Sequence, residues 1–250
     1  IILAGRGFRF PRLRDLREAL TFSTHVIGSR ISWYFYSNAD YLVAGKLLGQ
    51  AALGLYTLGF TLSGMPAEKI GGVITRVTPG IFSAVQDKPD ALRRYLLLLT
   101  EGISLLTFGP ILGLGLVAPV LIPVVLGDQW LGVVLPLQIL SVGAVLKALT
   151  PLPFQLLSIL KDARFNMHIS MVAAVVFPIG FFIGSRWGIA GIAAAWVLLH
   201  PFVTAAPLLL RVRKKIDLSI RTYLASTAPA ASAVLGARSA RWGRGRGARG

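Results

Sequence analysis

GISLLTFGPILGLGLVAPVLIPVVLG, residues 102–127, contains no charged side chain. About 20 predominantly apolar residues are enough to cross roughly 30 Å of hydrocarbon, so this stretch reads as a membrane span. Charge-free runs recur at 47–67, 129–146, 165–185 and 187–210. The run at 129–146 continues past Lys147 to Leu160. One more candidate, at 16–45, is interrupted by His25, Arg30 and Asp40. Soluble domains carry roughly 25% charged residues; this chain has 14%, with 54% hydrophobic. Length alone would suggest one or two soluble domains. Composition overrides that and predicts an all-α polytopic membrane protein.

Six transmembrane helices are expected, at about 16–45, 50–84, 91–126, 129–160, 164–185 and 187–211. Several are long enough to tilt or kink. Pro66, Pro79, Pro110, Pro119, Pro151 and Pro153 fall inside them, and each removes a helical donor. The basic residues alternate between loops. Fifteen lie in the first segment, the loops after the second and fourth spans, and the segment after the sixth. Only Lys46 and Arg186 lie in the intervening loops. Cytoplasmic loops collect Lys and Arg, so both ends of the six-helix unit are expected to face the cytoplasm. This distribution accounts for most of the net charge of +16 without nucleic acid as a partner.

The expected organisation is a basic cytoplasmic linker at 1–15, a six-helix lobe at 16–211, and a basic, disordered tail at 212–250. The tail ends ARSARWGRGRGARG; its composition suits a disordered or out-of-frame end. The chain begins with Ile, shows no signal peptide, and reads as a piece of something longer. It has no cysteine, hence no disulfide framework or thiolate metal site. His25, His168 and His200 fall in different expected spans, so no metal site and no cofactor are expected. No nucleotide-binding loop and no nucleophile–base arrangement is present, and the chain reads as a non-enzyme.

Ionisable groups at membrane depth are costly and mark function. The candidates for substrate binding are Arg30, Lys69, Arg76 and Lys147. Lys69 and Arg76 stand seven apart, within about 20° on one face of an α-helix. With Arg30 on the preceding helix they would line a cationic, water-filled cavity suited to a phosphate-bearing head group. The competing reading is pairing with Glu68 and snorkelling to an interface. Glu101 is a candidate for ion coupling. Small-xxx-small pairs at Gly45/Gly49, Gly109/Gly113 and Gly184/Gly188 would let helices approach closely.

Around the first turn the sequence reads Asp40, Gly45, Leu48-Gly49, then Leu53-Gly54-Leu55-Tyr56. Arg76-Val77-Thr78-Pro79, Phe82-Ser83 and Gln86-Asp87 form a second block, and Gly127 with Trp130 a third. In order and spacing these resemble the Wzx-type oligosaccharide flippases of the multidrug/oligosaccharidyl-lipid/polysaccharide (MOP) exporter superfamily. Pro79 precedes Phe82-Ser83 by one residue more than that pattern. The resemblance covers about 13–211. It implies a MOP-type transporter of two six-helix lobes facing a central cavity, of which this chain is the C-terminal lobe. It also implies a polyprenyl-diphosphate-linked oligosaccharide as substrate, membrane lipid and a missing N-terminal lobe as partners, and the bacterial inner membrane as location. Asp40, Gly45, Gly49, Gly54 and Tyr56 would be structural signature residues. Asp40 and Lys46, six apart, are expected near the outer interface, capping or pairing across the turn.

Rival readings are a lipid II flippase or drug exporter of the same superfamily, a membrane glycan polymerase or ligase, and a truncated inactive remnant. A drug exporter of organic cations should favour acidic cavity residues, and a polymerase needs a large outer loop. Neither feature is present in this sequence.

Overall fold

The computed structural model describes residues 13–229, and everything described is helical or turn. The expected linker, apart from its last residues, and the Arg/Gly-rich end lie outside the described residues. The helices are α1 (Leu13–Val43), α2 (Gln50–Pro66), α3 (Gly72–Ala84), α4 (Pro89–Leu126), α5 (Val134–Ala148), α6 (Pro151–Ile159), α7 (Ala163–Gly184), α8 (Gly188–His200), α9 (Ala206–Ile216) and α10 (Ile220–Ala225). Three π-helical turns, Ala44–Leu48, Ala67–Gly71 and Pro201–Ala205, extend or join them. Among the described residues before α10 the helices fall into six runs: 13–48, 50–84, 89–126, 128–159, 163–187 and 188–216.

The sequence dictates most of these breaks. Gly49, Gly127 and Gly188 have φ of 87°, 94° and 68°, a region open to glycine without steric cost. The turn at 85–88 ends at Pro89, in the first turn of α4, where its missing N–H costs nothing. Lys161 takes φ 58° to close the turn between α6 and α7. Three stretches are long and apolar enough to cross a membrane: Pro89–Leu126, Asp128–Ile159 and Ala163–Ile216, the last containing the Gly188 break. α10 lies within the segment expected as tail, and its Tyr223 is buried in the same cluster as Leu96 and Leu208.

α1 packs along α7. Ser29 and Ser170 hydrogen-bond at 3.3 Å, Gly28 faces Met167, and Tyr36 stacks on Phe177 with ring centroids 5.2 Å apart. α5 sits centrally, touching α2, α4 and α8. One core cluster is aliphatic and spans Phe82, Leu92, Leu96, Leu152, Leu156 and Val212. A second is aromatic, built from Tyr36, Tyr56, Phe177, Phe181 and Trp196, and a third joins Ala118, Ile122, Val133 and Leu137.

Of the small-xxx-small pairs, only one glycine brings backbones together. A Cβ on Gly109 or Gly113 would meet nothing within 4 Å. A Cβ on Gly184 would stand 2.5 Å from the Gly191 carbonyl oxygen, and one on Gly191 would collide with the Gly184 carbonyl. The close approach is therefore Gly184 to Gly191, across the α7–α8 turn, rather than Gly184 to Gly188.

At one end of the bundle Asp162, just before α7, accepts Arg211 Nε at 2.7 Å and a second guanidinium nitrogen at 3.3 Å. Lys215 stands 3.5 Å away. Burial works to raise the Asp162 carboxyl, but the Arg211 hydrogen bond and the charges of Lys215 and Arg211 outweigh it and hold it below its usual value. This clasp ties the α6–α7 turn to α9.

Two outcomes test this packing. Gly191→Ala should lower stability by about 1–3 kcal/mol, the range for overpacking, and reduce the melting temperature in detergent. Gly102→Ala, at a helical site with nothing within 4 Å, should be neutral or stabilising. For Asp162, a lowered folded pKa means its stabilisation is full above the unfolded carboxylate pKa near about 3.9. It is lost as pH falls through the folded value. Asp162→Asn should therefore melt below wild type at neutral pH, and the gap should close on acidification past about pH 4.

Candidate functional site

Asp40 lies one turn before the end of α1 and is fully buried. A bare carboxylate there would be prohibitive, and three donors answer it. The Tyr56 hydroxyl from α2 donates to Oδ2 at 2.7 Å. The Trp196 indole N–H from α8 donates to the same oxygen at 2.8 Å. The Tyr41 backbone N–H donates to Oδ1 at 2.9 Å. Lys147 of α5 completes the arrangement over the face of the indole: its Nζ lies 3.8 Å from the Trp196 ring centroid and 4.6 Å from that of Phe60. An indole N–H bonded to an anion gives up electron density to its ring, which strengthens the attraction of that face for a cation. Asp40 at the edge of the indole and Lys147 over its face thus form an anion–indole–cation unit, and Lys147 feels the charges of both Asp40 and Glu68.

His200, one turn beyond Trp196, is buried. Its Nε2 pairs with the Thr150 hydroxyl at 2.8 Å and its Nδ1 with that of Thr204 at 3.0 Å. Two hydroxyls satisfy both ring nitrogens, which suits a packing role. All three π turns border this region: one follows Asp40, one contains Glu68, and one follows His200 and holds Thr204. The latter two begin at or beside a proline, Pro66 and Pro201, whose missing N–H unseats the regular ladder.

The expected site residues divide. Lys147 and the signature residues Asp40 and Tyr56 come together in one node. Gly49 supplies the left-handed turn, Gly45 faces Leu53, and Gly54 faces open space. Asp40 does not cap the turn or pair with Lys46. It points inward, and Lys46 is exposed in the π turn; burial with two side-chain donors wins over an exposed pair worth little. Arg30, Lys69 and Arg76 are all exposed. Among the described residues none of them makes an ion pair, Glu68 included. Because the π turn at Ala67–Gly71 starts two residues before Lys69, the α-helical period does not carry across from Lys69 to Arg76. Their common face does not follow from spacing alone. Glu101 is half-buried beside a groove of about 350 Å³ shared with Asp90, Arg93 and Arg94, apart from the node.

Trp196 and His200 escaped the reading of the sequence. A signal existed: Trp196 follows three alanines in a charge-free span, and a buried indole N–H needs an acceptor. Asp40→Ala should be the most damaging single change in this region. It strands the Tyr56 hydroxyl and the indole N–H, at about 1–3 kcal/mol each. Tyr56→Phe, which removes one of the three donors, should cost only about 1 kcal/mol. Melting temperatures in detergent rank the two; equal losses would show that the node is not what holds α1, α2 and α8 together.

Known proteins match this chain over much of its helical part. Relatives include a protein described as an uncharacterized membrane protein in the cps region of Klebsiella pneumoniae, 27% identical over 200 residues, 78% of this chain and 41% of the relative. The teichuronic acid biosynthesis protein TuaB of Bacillus subtilis is 29% identical over 137 residues, 55% of this chain and 28% of TuaB. The lipopolysaccharide biosynthesis protein WzxC of Escherichia coli is 25% identical over 224 residues, 88% of this chain and 45% of WzxC. The chain spans less than half the length of these relatives. No solved structure matches it. The family described as polysaccharide biosynthesis protein matches residues 8–135, including Asp40, Tyr56, Lys69 and Arg76, and the chain belongs to that family.

Proposed function

We propose that this chain forms one six-helix lobe of a transporter that flips polyprenyl-diphosphate-linked oligosaccharide across the bacterial inner membrane. Transport proceeds by alternating access and serves polysaccharide export. The protein is a carrier, not an enzyme. The reading takes the six helical runs as spans, of which the last four lie in stretches long and apolar enough to cross a membrane, and takes the basic loops as cytoplasmic. A second six-helix lobe completes the cavity.

The observation that carries the reading is the set of exposed cations on the first two runs. Arg30 stands beside exposed Ile27 and Ile31, and Arg76 beside exposed Val73 and Val77. Lys69 is exposed between them in sequence. A cation facing hydrocarbon at the centre of a span costs about 2.5–3.5 kcal/mol even on the mildest scale. Three such groups without an ion-pair partner among the described residues call for water and a mobile anion. A diphosphate supplies that anion, and Arg and Lys are its usual partners. Lys147, half-buried on the indole, is the inner member of this cationic set. Glu101 is the acid available for ion coupling.

Charge-assisted hydrogen bonds contribute about 1.5–3 kcal/mol each, and 1.4 kcal/mol is about tenfold. Arg76→Gln and Arg30→Gln should each lower surface polysaccharide about tenfold in cells that depend on this protein, at unchanged membrane level. Arg186→Gln, in a turn of the opposite end, should have no effect. Full export by a variant lacking all of Arg30, Lys69 and Arg76 would overturn the reading.

A further inference from the structure

The exposed face of α2 differs from the outward faces of α4 and α7. Gln50, Gly54, Thr57 and Thr61 follow at intervals of four, three and four residues, so they share one helical face, and all are exposed. They line a groove of about 600 Å³ together with Leu53 and Leu58. The opposite face of the same helix holds buried Tyr56, Gly59 and Ser63, with Gly59 against the backbone of Leu137. α2 thus turns one glutamine and two threonines outward.

Two comparisons within the molecule show what that face is suited to meet. On α4 the exposed residues include Leu105, Leu106, Leu116, Val120 and Val124, and on α7 Val172, Val175, Ile179 and Phe182. Those are lipid-facing surfaces. Several other helical threonines spend their hydroxyls on the preceding turn: Thr75, Thr78, Thr107 and Thr204 each donate to a carbonyl three or four residues back. The hydroxyls of Thr57 and Thr61 and the amide of Gln50 have no such bond among the described residues. Three polar side chains aimed at hydrocarbon without partners would each carry a desolvation cost of about 1–3 kcal/mol. They are placed for a hydrated ligand.

The chemistry of the groove selects that ligand. The residues that line the groove carry no charge; Tyr56, the one titratable residue between Gln50 and Thr61, is buried against Asp40, and exposed Lys46 lies before Gln50, beyond the Gly49 turn. Glu68, the next charged residue along the helix, lies seven residues beyond Thr61, about 10 Å of helical rise. An anion would lack cations here, a cation would lack carboxylates, and an apolar ligand would waste the hydroxyls. Hydroxyl and amide groups that both donate and accept, flanked by two leucines, match an uncharged polyhydroxylated ring with its polar rim and C–H faces. A Cβ on Gly54 would meet nothing within 4 Å, so the middle of the groove is open. We infer that the Gln50–Thr61 face of α2 is a neutral carbohydrate track, separate from the cations at Lys69 and Arg76. This rests on the flippase reading and assigns the glycan its own subsite.

The absence of native cysteine makes the test direct. Thr57→Cys, Thr61→Cys and, as controls, Val120→Cys and Val124→Cys are made in the full chain. They are reconstituted in phosphatidylethanolamine–phosphatidylglycerol vesicles and treated with a membrane-impermeant maleimide. The expected result is labelling at 57 and 61 but not at 120 and 124. Maltotetraose or chitotetraose should slow it several-fold, and inorganic diphosphate should not. Absence of labelling at 57 and 61, with reaction only towards a lipid-soluble maleimide, means that lipid or a neighbouring helix covers the face and overturns the track. Labelling that neither sugar slows, or that diphosphate slows equally, also overturns it. Inorganic diphosphate binding to the unmodified chain and to Arg76→Gln is measured in parallel. Failure there counts against the flippase reading and leaves the labelling result to stand by itself.

Discussion

The Asp40 carboxylate has to be satisfied inside the protein, and the rest of the lobe is arranged around that requirement. It has no water of its own to turn to, being fully buried. Its donors come from its own chain direction, from α2 and from α8. The indole and Tyr56 bonds therefore fix where the second and last runs cross the first. Tyr56 is also ringed by Tyr41 and Phe60, and Trp196 by Phe177 and Phe181. Polar satisfaction sets the register, and aromatic packing fills the space around it. An apolar residue at position 40 would leave the Tyr56 hydroxyl and the indole N–H unpaired and would specify no crossing.

The three π turns lie at the borders of this node. A π turn leaves the regular i to i−4 ladder and marks a seam in the helix, and sharp bends of helices concentrate at such seams and at prolines. Irregular backbone at membrane depth is tolerated where protein or water covers it. Here the Ala44 and Thr204 side chains in two of the turns are buried, as is Gly71 in the third. The lobe thus combines a well-bonded crossing with seams about one to three turns away along the same helices. That is the construction expected where a rigid unit must be held while its flanking segments change direction.

Much of the fold was legible because it follows from local chemistry. Apolar windows mark the six runs, and Gly49, Gly127 and Gly188 mark three of their ends. The signature pair Asp40 and Tyr56 was legible as a pattern, and its physical meaning is a hydrogen bond. Other features depend on partners that no period encodes. Trp196 lies 156 residues from Asp40, and nothing local names its acceptor. A π turn of five residues leaves no clear periodic trace, so the angle between Lys69 and Arg76 was drawn for a helix that is not α throughout. Small-residue spacing reports that a close approach is possible, not where the neighbour is: Gly113 faces space while Gly184 meets Gly191.

Charge bookkeeping connects the core to the surface. Asp40 is consumed internally, and Glu68 is near enough to act on Lys147. The clasp at Asp162 employs Arg211 and Lys215. Arg30, Lys46, Lys69 and Arg76 on the first two runs stay outward. Had the signature acid been exposed, as its place near a turn suggested, it would have offset that surface charge. By turning Asp40 inward the fold leaves the outer surface of these runs cationic at one end, while the Gln50–Thr61 stretch stays neutral and polar. A ligand with a charged end and an uncharged polar end matches that gradient, and a ligand of uniform charge or uniform hydrophobicity does not. The same buried carboxylate that fixes the helix crossings thereby also shapes what the exposed face can hold.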